Sequence, residues 1–357
     1  MYVAKADGKF LIKRMPDTGA HHSPECDSYE PPLELSGIGQ VMGNAIQEDP
    51  DSGLTALKLD FSLSKAAGKR IPQGDGAESD SVTSKGSRLT LRGTLHYLWE
   101  SAGFNKWSPR MADKRPWYVI RKYLLEAATK ATAKKSALDE ILYIPEAFSS
   151  EHKHEIEQRR IAKFEPFRAK ATGGARKLMM LIGEVKDFGD ARFGKKIIIK
   201  HAPDYPFYMD ADLFKAMGKR FATELELWAA ENDRKLVAIA TFGVSASGLA
   251  QIEEISLMLT TDSWIPFENL YELELIERLI TEHRRFYKSL RYNLPTSAPL
   301  ASVVLTDTPK ATALYIQTSS EAQDIDAMNN LISESDLPSW LWGLSDADVP
   351  ELPGKML

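Results

Sequence analysis

The chain has a single cysteine, Cys26, so no intramolecular disulfide can form and a cross-linked extracellular framework is excluded. It has no apolar stretch approaching the roughly 18 residues that a membrane-crossing helix needs, and its first residues hold no apolar run of the secretory type. A cytoplasmic location with no membrane partner is the expectation. Positive charge is not in excess either: 45 Lys and Arg stand against 50 Asp and Glu, a formal net charge of −5. The molecule as a whole therefore has no field that would draw nucleic acid to it. Internal repeats and low-complexity tracts are also lacking.

What is present is 357 residues, 43% of them hydrophobic, with seven tryptophans. That is enough for two or three domains, each burying its own core. Charge is unevenly placed. Between Lys106 and Lys135 nine Lys or Arg face only Asp113 and Glu126, whereas after Ser319 eight acids face Lys355 alone. Gly68 to Gly86 is dense in Gly, Ser and Asp and poor in apolar residues, which predicts a linker.

The expected organisation is α+β or α/β and multidomain. A small β-rich domain covers 1–67, with a hairpin turning at Asp7-Gly8, and a linker covers 68–87. A basic helical domain covers 88–172, an α/β domain 173–318 and an acidic tail 319–357. In the basic domain, helices are expected from Leu89 to Ala102 and from about Trp117 to Ala133, by their apolar periodicity. Further on, strands are expected at Lys177–Val185, Lys195–Lys200, Leu236–Val244 and Ile252–Thr260, with a helical stretch from Phe214 to Glu231. A long helix then runs from Glu268 to Leu290, followed by a hairpin of Leu300–Leu305 and Ala311–Gln317 turning at Asp307-Thr308-Pro309.

Several groups of residues carry possible chemistry. Arg284, Arg285, Lys288 and Arg291 collect at the end of the expected long helix, where cations either complement the helix dipole or meet phosphate. Arg115, Arg121 and Lys122 lie among Trp107, Trp117, Tyr118 and Tyr123, a basic-aromatic mixture suited to DNA or RNA, or simply a solvated helical face. Glu184 and Lys186 form Glu-X-Lys on an expected strand, and Glu272 and Asp307 are acids that could hold Mg²⁺ if they converged. His21, His22 and Cys26 supply imidazole and thiol, but zinc needs four such ligands. The acidic tail, with Leu337 to Leu344, could dock a protein partner.

The order helix, strand, turn, strand from Trp264 to Gln317 resembles the core of PD-(D/E)XK nucleases. That resemblance implies an acid on the helix, where Glu272 stands, a Pro-Asp on the first strand and a Glu-X-Lys on the second. Here those strands read Pro299-Leu300 and Tyr315-Ile316-Gln317, so the resemblance implies a fold without its usual chemistry. Over about residues 1 to 317, phrases such as Arg14-Met15-Pro16-Asp17-Thr18-Gly19, Cys26-Asp27-Ser28-Tyr29-Glu30-Pro31-Pro32, Leu89-Thr90-Leu91-Arg92-Gly93-Thr94-Leu95 and Trp264-Ile265-Pro266-Phe267-Glu268-Asn269 resemble the bacterial domain-of-unknown-function family 1173. This second resemblance implies a protein of plasmids and integrative elements. It also implies that upstream cysteines in other members would complete a zinc site with His21 or His22 and Cys26. The expectation is a non-catalytic, nucleic-acid-associated accessory factor. Its rivals are a Mg²⁺-dependent nuclease with an unorthodox site and a protein-interaction scaffold.

Overall fold

A computed structural model describes residues 2–6, 9–13, 18–26, 28–49, 52–65, 86–134, 136–170, 174–192, 194–231, 233–343, 345–346 and 348–356. The Asp7-Gly8 turn, Met15 to Asp17 and nearly all of the expected linker lie outside these residues. Tyr2–Ala6 and Lys9–Lys13 pair antiparallel, as the alternation there predicts. The fold is mixed α+β.

Helix α1 (Leu91–Ser101) starts at Thr90, whose hydroxyl accepts from Gly93 N, and stops before Gly103 at φ 75°. Helix α2 (Trp117–Thr129) follows Pro116 and ends earlier than its sequence period predicts, because Ala131–Ala133 leaves it to form a strand. That strand runs parallel to Thr55–Leu57 in a small four-stranded sheet. Helix α3 (Lys153–Phe164) then leads into the central sheet.

Five strands close that sheet into a ring. In chain order they are β1 (Met179–Asp190), β2 (Lys195–Ile199), β3 (Ala202–Met209), β4 (Lys235–Val244) and β5 (Ala250–Thr260), with helices α4 (Ala211–Arg220) and α5 (Ala222–Ala230) between β3 and β4. Strand β1 is long enough to serve two neighbours. Met179 to Glu184 pair with β4, and Val185 to Asp190 pair with β2 across a bulge at Val185/Asp187. Strands β2 and β3 are antiparallel, β4 and β5 are antiparallel, and a short parallel pairing of β3 with β5 completes the circle. The order β1-β2-β3-β5-β4-β1, with helices between the third and fourth strands, is that of the partly open Greek-key OB barrel.

Period two sorts the strand residues. Leu181, Ile197, Ile199, Phe207, Ala238, Ala240, Phe242 and Leu257 share one core cluster, and Met180, Ile182, Val237, Ile239 and Met258 share another with α1 and α2. Gly183 is required by the first cluster: a Cβ there would sit 2.6 Å from Ile199 Cγ2. One wall of the barrel is thus buried beneath α1 and α2.

The C-terminal part comprises α6 (Leu270–Thr281), β6 (Phe286–Lys288), β7 (Val303–Leu305), β8 (Thr312–Ile316), α7 (Ala322–Glu334) and β9 (Ser339–Trp342). The sheet order is β9-β8-β7-β6, extended by Lys106–Trp107 beside β6, with β9 parallel to β8 and the other neighbours antiparallel. Leu275, Ile276 and Leu279 of α6 are fully buried with Val303, Leu305 and Leu314, as the apolar stripe predicts. The expected single helix to Leu290 is corrected. His283 takes the left-handed conformation at φ 55°, and Arg284 N bonds back to Leu279 O at 2.9 Å, closing α6 with a Schellman turn. The chain then extends into β6.

Candidate nucleic-acid interface

The cations expected at the helix end do not form a surface patch. Arg284 is 3% exposed, and its guanidinium donates to both carboxylate oxygens of Asp307, at 3.0 to 3.2 Å. Lys288 Nζ donates to Glu272 Oε1 at 2.9 Å and to Ser289 O at 2.9 Å. Arg291 Nε donates to Glu268 at 2.7 and 3.0 Å, and its Nη1 to the carbonyls of Pro295 and Ala298. Arg285 is half-buried, with its backbone N bonded to Asp307 Oδ2. Three of the four cations are therefore neutralised inside the protein.

Glu272 and Asp307 are not brought together. Asn269 caps α6 by accepting from Glu272 N, and Glu272 Oε2 accepts from Glu268 N at 2.9 Å, a variant of the capping box. Its other oxygen faces Lys288 at the end of β6. Asp307 instead holds Arg284, before the start of β6. Each carboxylate is saturated by its own cation at a different end of one short strand. Beside Glu272 lies a small cleft lined by Asn269, Arg291, Ser302, Ile316, Gln317 and Asp324. Leu300 and Tyr315, which the nuclease resemblance sets where acids are expected, supply no carboxylate.

Glu184 is buried on β1 and accepts from Lys200 Nζ at 2.7 Å, while Lys186 is exposed beyond it. His22 Nδ1 lies 3.6 Å from Cys26 Sγ on the exposed surface, and His21 is exposed beside it. Among the described residues no group of three or more His, Cys, Asp or Glu is placed to hold a metal ion.

The basic block divides by burial. Arg115 donates to the carbonyls of Gly103, Phe104, Lys106 and Ser263, and burial pulls its guanidinium down to about 10. It ties α2 to the chain before it. Arg121 Nε donates to Ile144 O at 3.0 Å. Lys122 is exposed, with Glu126 one turn on at 3.8 Å. Tyr118 is 64% exposed and Tyr123 is 44% exposed, whereas Trp117, Ile120 and Leu124 face inward. Tyr118 and Lys122 therefore share an exposed face of α2 at four-residue spacing, and exposed Lys114 lies in the segment before the helix.

At its first residue α2 meets the barrel. The Trp117 indole stacks on the His201 imidazole, centroids 4.9 Å apart and planes 13° apart, and Trp117 Nε1 donates to Pro145 O. His201 sits at the β2–β3 turn, next to exposed Lys200. Desolvation, helped by Lys200, pulls the imidazole down to about 4, so it is neutral in the stack. Sequence reasoning missed the barrel as a surface. The signal was a second basic run, since from Lys186 to Lys200 five Lys or Arg face two acids, Asp187 and Asp190.

The acidic C-terminal segment is built into the fold. Beyond β9, Val349 and Leu352 join the main core cluster, Arg278 donates to Val349 O, and Met356 N donates to Asp307 O. No helix among the described residues is long and apolar enough to cross a membrane.

No curated protein and no solved structure matches this chain. A family model, "Protein of unknown function (DUF1173)", matches residues 1–345. That match covers nearly the whole sequence, and the chain belongs to the DUF1173 family.

Proposed function

We propose that this protein is a non-catalytic nucleic-acid-binding accessory factor of a mobile genetic element. The observation that carries the reading is the exposed pair Tyr118 and Lys122 on α2, with exposed Lys114 before the helix, on a chain whose net charge is −5. A cation-bearing helical face interleaved with exposed aromatic rings can neutralise phosphates and lie against sugar or base. The C-terminal order α6-β6-β7-β8-α7-β9, with β9 parallel to β8, supports reading that part as a degenerate PD-(D/E)XK core. Its acids are occupied by Lys288 and Arg284, which favours binding over cutting.

The test is fluorescence anisotropy with labelled DNA and RNA over a salt series. Binding is expected to weaken with salt. Replacing Lys114 and Lys122 with Ala should lower affinity for all sequences alike and flatten the log–log salt slope by roughly 0.9 for each duplex phosphate that is no longer neutralised. Absence of DNA and RNA binding at low salt would overturn the proposal.

A further inference from the structure

We propose that the outer edge of β9 receives an extended strand from another protein, one with uncharged, β-branched residues at its centre and Lys or Arg at its ends. The site is separate from α2, so its failure would leave the nucleic-acid reading standing.

Strand β9 ends the C-terminal sheet. It runs parallel to β8, with Ser339 level with Ala313 and Trp342 level with Ile316. Ala313 N donates to Pro338 O, and Gln317 N donates to Trp342 O. Along a strand, successive residues turn their backbone groups to opposite edges. Pro338, Trp340 and Trp342 therefore face β8, and Ser339 and Leu341 turn their N–H and C=O groups outward. Among the described residues no backbone group bonds to them there.

An open edge is a template for a further strand, and folds blunt it with Lys, with Pro inside the strand or with a covering loop. The sequence of β9, Ser-Trp-Leu-Trp, has neither Lys nor Pro. The chain beyond it returns over the α6 side, where Trp340 Nε1 donates to Glu351 O and Val349 and Leu352 join the core. Apolar groups flank the edge on both faces. Leu341, level with buried Tyr315 on the α7 side, is 40% exposed. On the α6 side Trp342 packs edge-on against Tyr271, centroids 5.3 Å apart, and Tyr271 and Leu270 are exposed. An added strand would cover Leu341 with one set of alternate side chains and reach over Trp340 with the other.

Charge names the occupant. Exposed Asp336 precedes the strand, and Asp346 stands at its other end, where Oδ2 accepts from Gly343 N at 2.9 Å. Exposed Glu351 lies beside Trp340. From Ala311 to Gly354 the sequence has no Lys or Arg. A second copy fits poorly. Antiparallel pairing of β9 with itself about Leu341 brings the Asp336 end of each copy to the Asp346 end of the other, and parallel pairing sets like ends together. Like charges across strands repel. A strand with cations at both ends meets an acid at each.

The experiment measures anisotropy of labelled peptides with the full chain. One peptide alternates Thr and Val and ends in paired Lys, a second ends in paired Glu, and a third has the Lys ends with its central amides N-methylated. The Lys-ended peptide is expected to bind, and each of the other two to bind roughly tenfold or more weakly, since each loses several cross-strand pairs or hydrogen bonds. Leu341→Pro removes one outward N–H while leaving the bonds to β8, and should weaken the Lys-ended peptide roughly threefold to tenfold. Asp336→Asn/Asp346→Asn keeps an acceptor for Gly343 N and should cut the preference for Lys over Glu ends roughly fivefold. Should Leu341→Pro fail to fold in a thermal melt, the Asn pair and the N-methylated peptide carry the comparison. Equal binding of the N-methylated peptide and its parent overturns the proposal, as does equal binding of Lys and Glu ends or no binding of any peptide. A wild type that sediments as a dimer, dissociated by Leu341→Pro, makes a second copy the occupant and also overturns it.

Discussion

Lys288 Nζ lies 2.9 Å from Glu272 Oε1, with both side chains about 95% buried or more. Such a pair owes its existence to mutual neutralisation in a medium that solvates neither charge. Removing one partner leaves the other uncompensated, so Lys288→Ala should lower unfolding stability by about 3–5 kcal/mol. The double variant Lys288→Met/Glu272→Leu should cost much less, since neither charge remains. Urea denaturation of the two variants checks this, and a single variant within 1 kcal/mol (roughly) of the wild type would show that solvent reaches the pair.

The same occupancy governs the nuclease question. With Glu272 held by Lys288 and Asp307 by Arg284, neither carboxylate is free to bind Mg²⁺ at the C-terminal sheet. Plasmid DNA incubated with the protein and Mg²⁺ or Mn²⁺ should stay supercoiled. Nicking that disappears in Glu272→Ala or Asp307→Ala would place a working metal site there.

Packing inside the barrel gives a third prediction. A methyl group at position 183 would meet Ile199 Cγ2 at 2.6 Å, so Gly183→Ala should destabilise by about 1–3 kcal/mol through overpacking. Adding Ile199→Leu, which carries no methyl on Cβ, should recover part of the stability in a thermal melt. No recovery would mean that backbone shifts, not this close approach, set the cost.

Stability should also fall with pH through Glu100. Burial pushes its carboxyl up from 4.5 to about 7, against the hydrogen bond donated by Tyr292 Oη at 2.6 Å. The folded protein binds that proton more tightly than the unfolded chain. Its contribution is therefore fully present below pH 4.5 and is lost as pH rises through about 7. Glu254 acts in the same direction, and His96, pulled down to about 3 by burial, opposes both below pH 6.5. Glu100→Gln should make the decline between those limits shallower than in the wild type, read from urea midpoints at successive pH values. Parallel profiles would remove Glu100 from the account.

Local pattern made β1, β2, β4 and β5 legible, along with α1, α2 and the β7–β8 hairpin, because each has its own period and its own stop. Strand β3 was not expected, since Pro203 and Pro206 inside it argue against a strand. What escaped depends on residues far apart in the chain. The ring closes only when β1 meets both β2 and β4, and no local window contains that. The end of α6 escaped for a subtler reason. Helical spacing from Leu275 to Ile280 continues plausibly through Phe286, and His283 is not an obvious stop. Yet Arg284, Phe286 and Lys288 are buried in alternation with half-buried Arg285 and Tyr287, a strand period in which two inward positions carry charge. A charged residue reads as exposed until its partner is seen, and those partners, Asp307 and Glu272, lie 23 and 16 residues away. Two of the three cations named around α2 hide in the same way, since Arg115 and Arg121 bond the distant carbonyls of Ser263 and Ile144, while Lys122 is exposed.

The ring has one weak seam. Strands β3 and β5 are joined through only Phe207 with Ala250 and Tyr208 with Gln251, whereas β4 and β5 pair along nearly their whole length. Amides at this seam should exchange with solvent before those of β4, by local opening that leaves the rest of the barrel intact. Deuterium uptake at positions 207, 208, 250 and 251 that runs ahead of uptake along β4 would mark where the barrel first unzips.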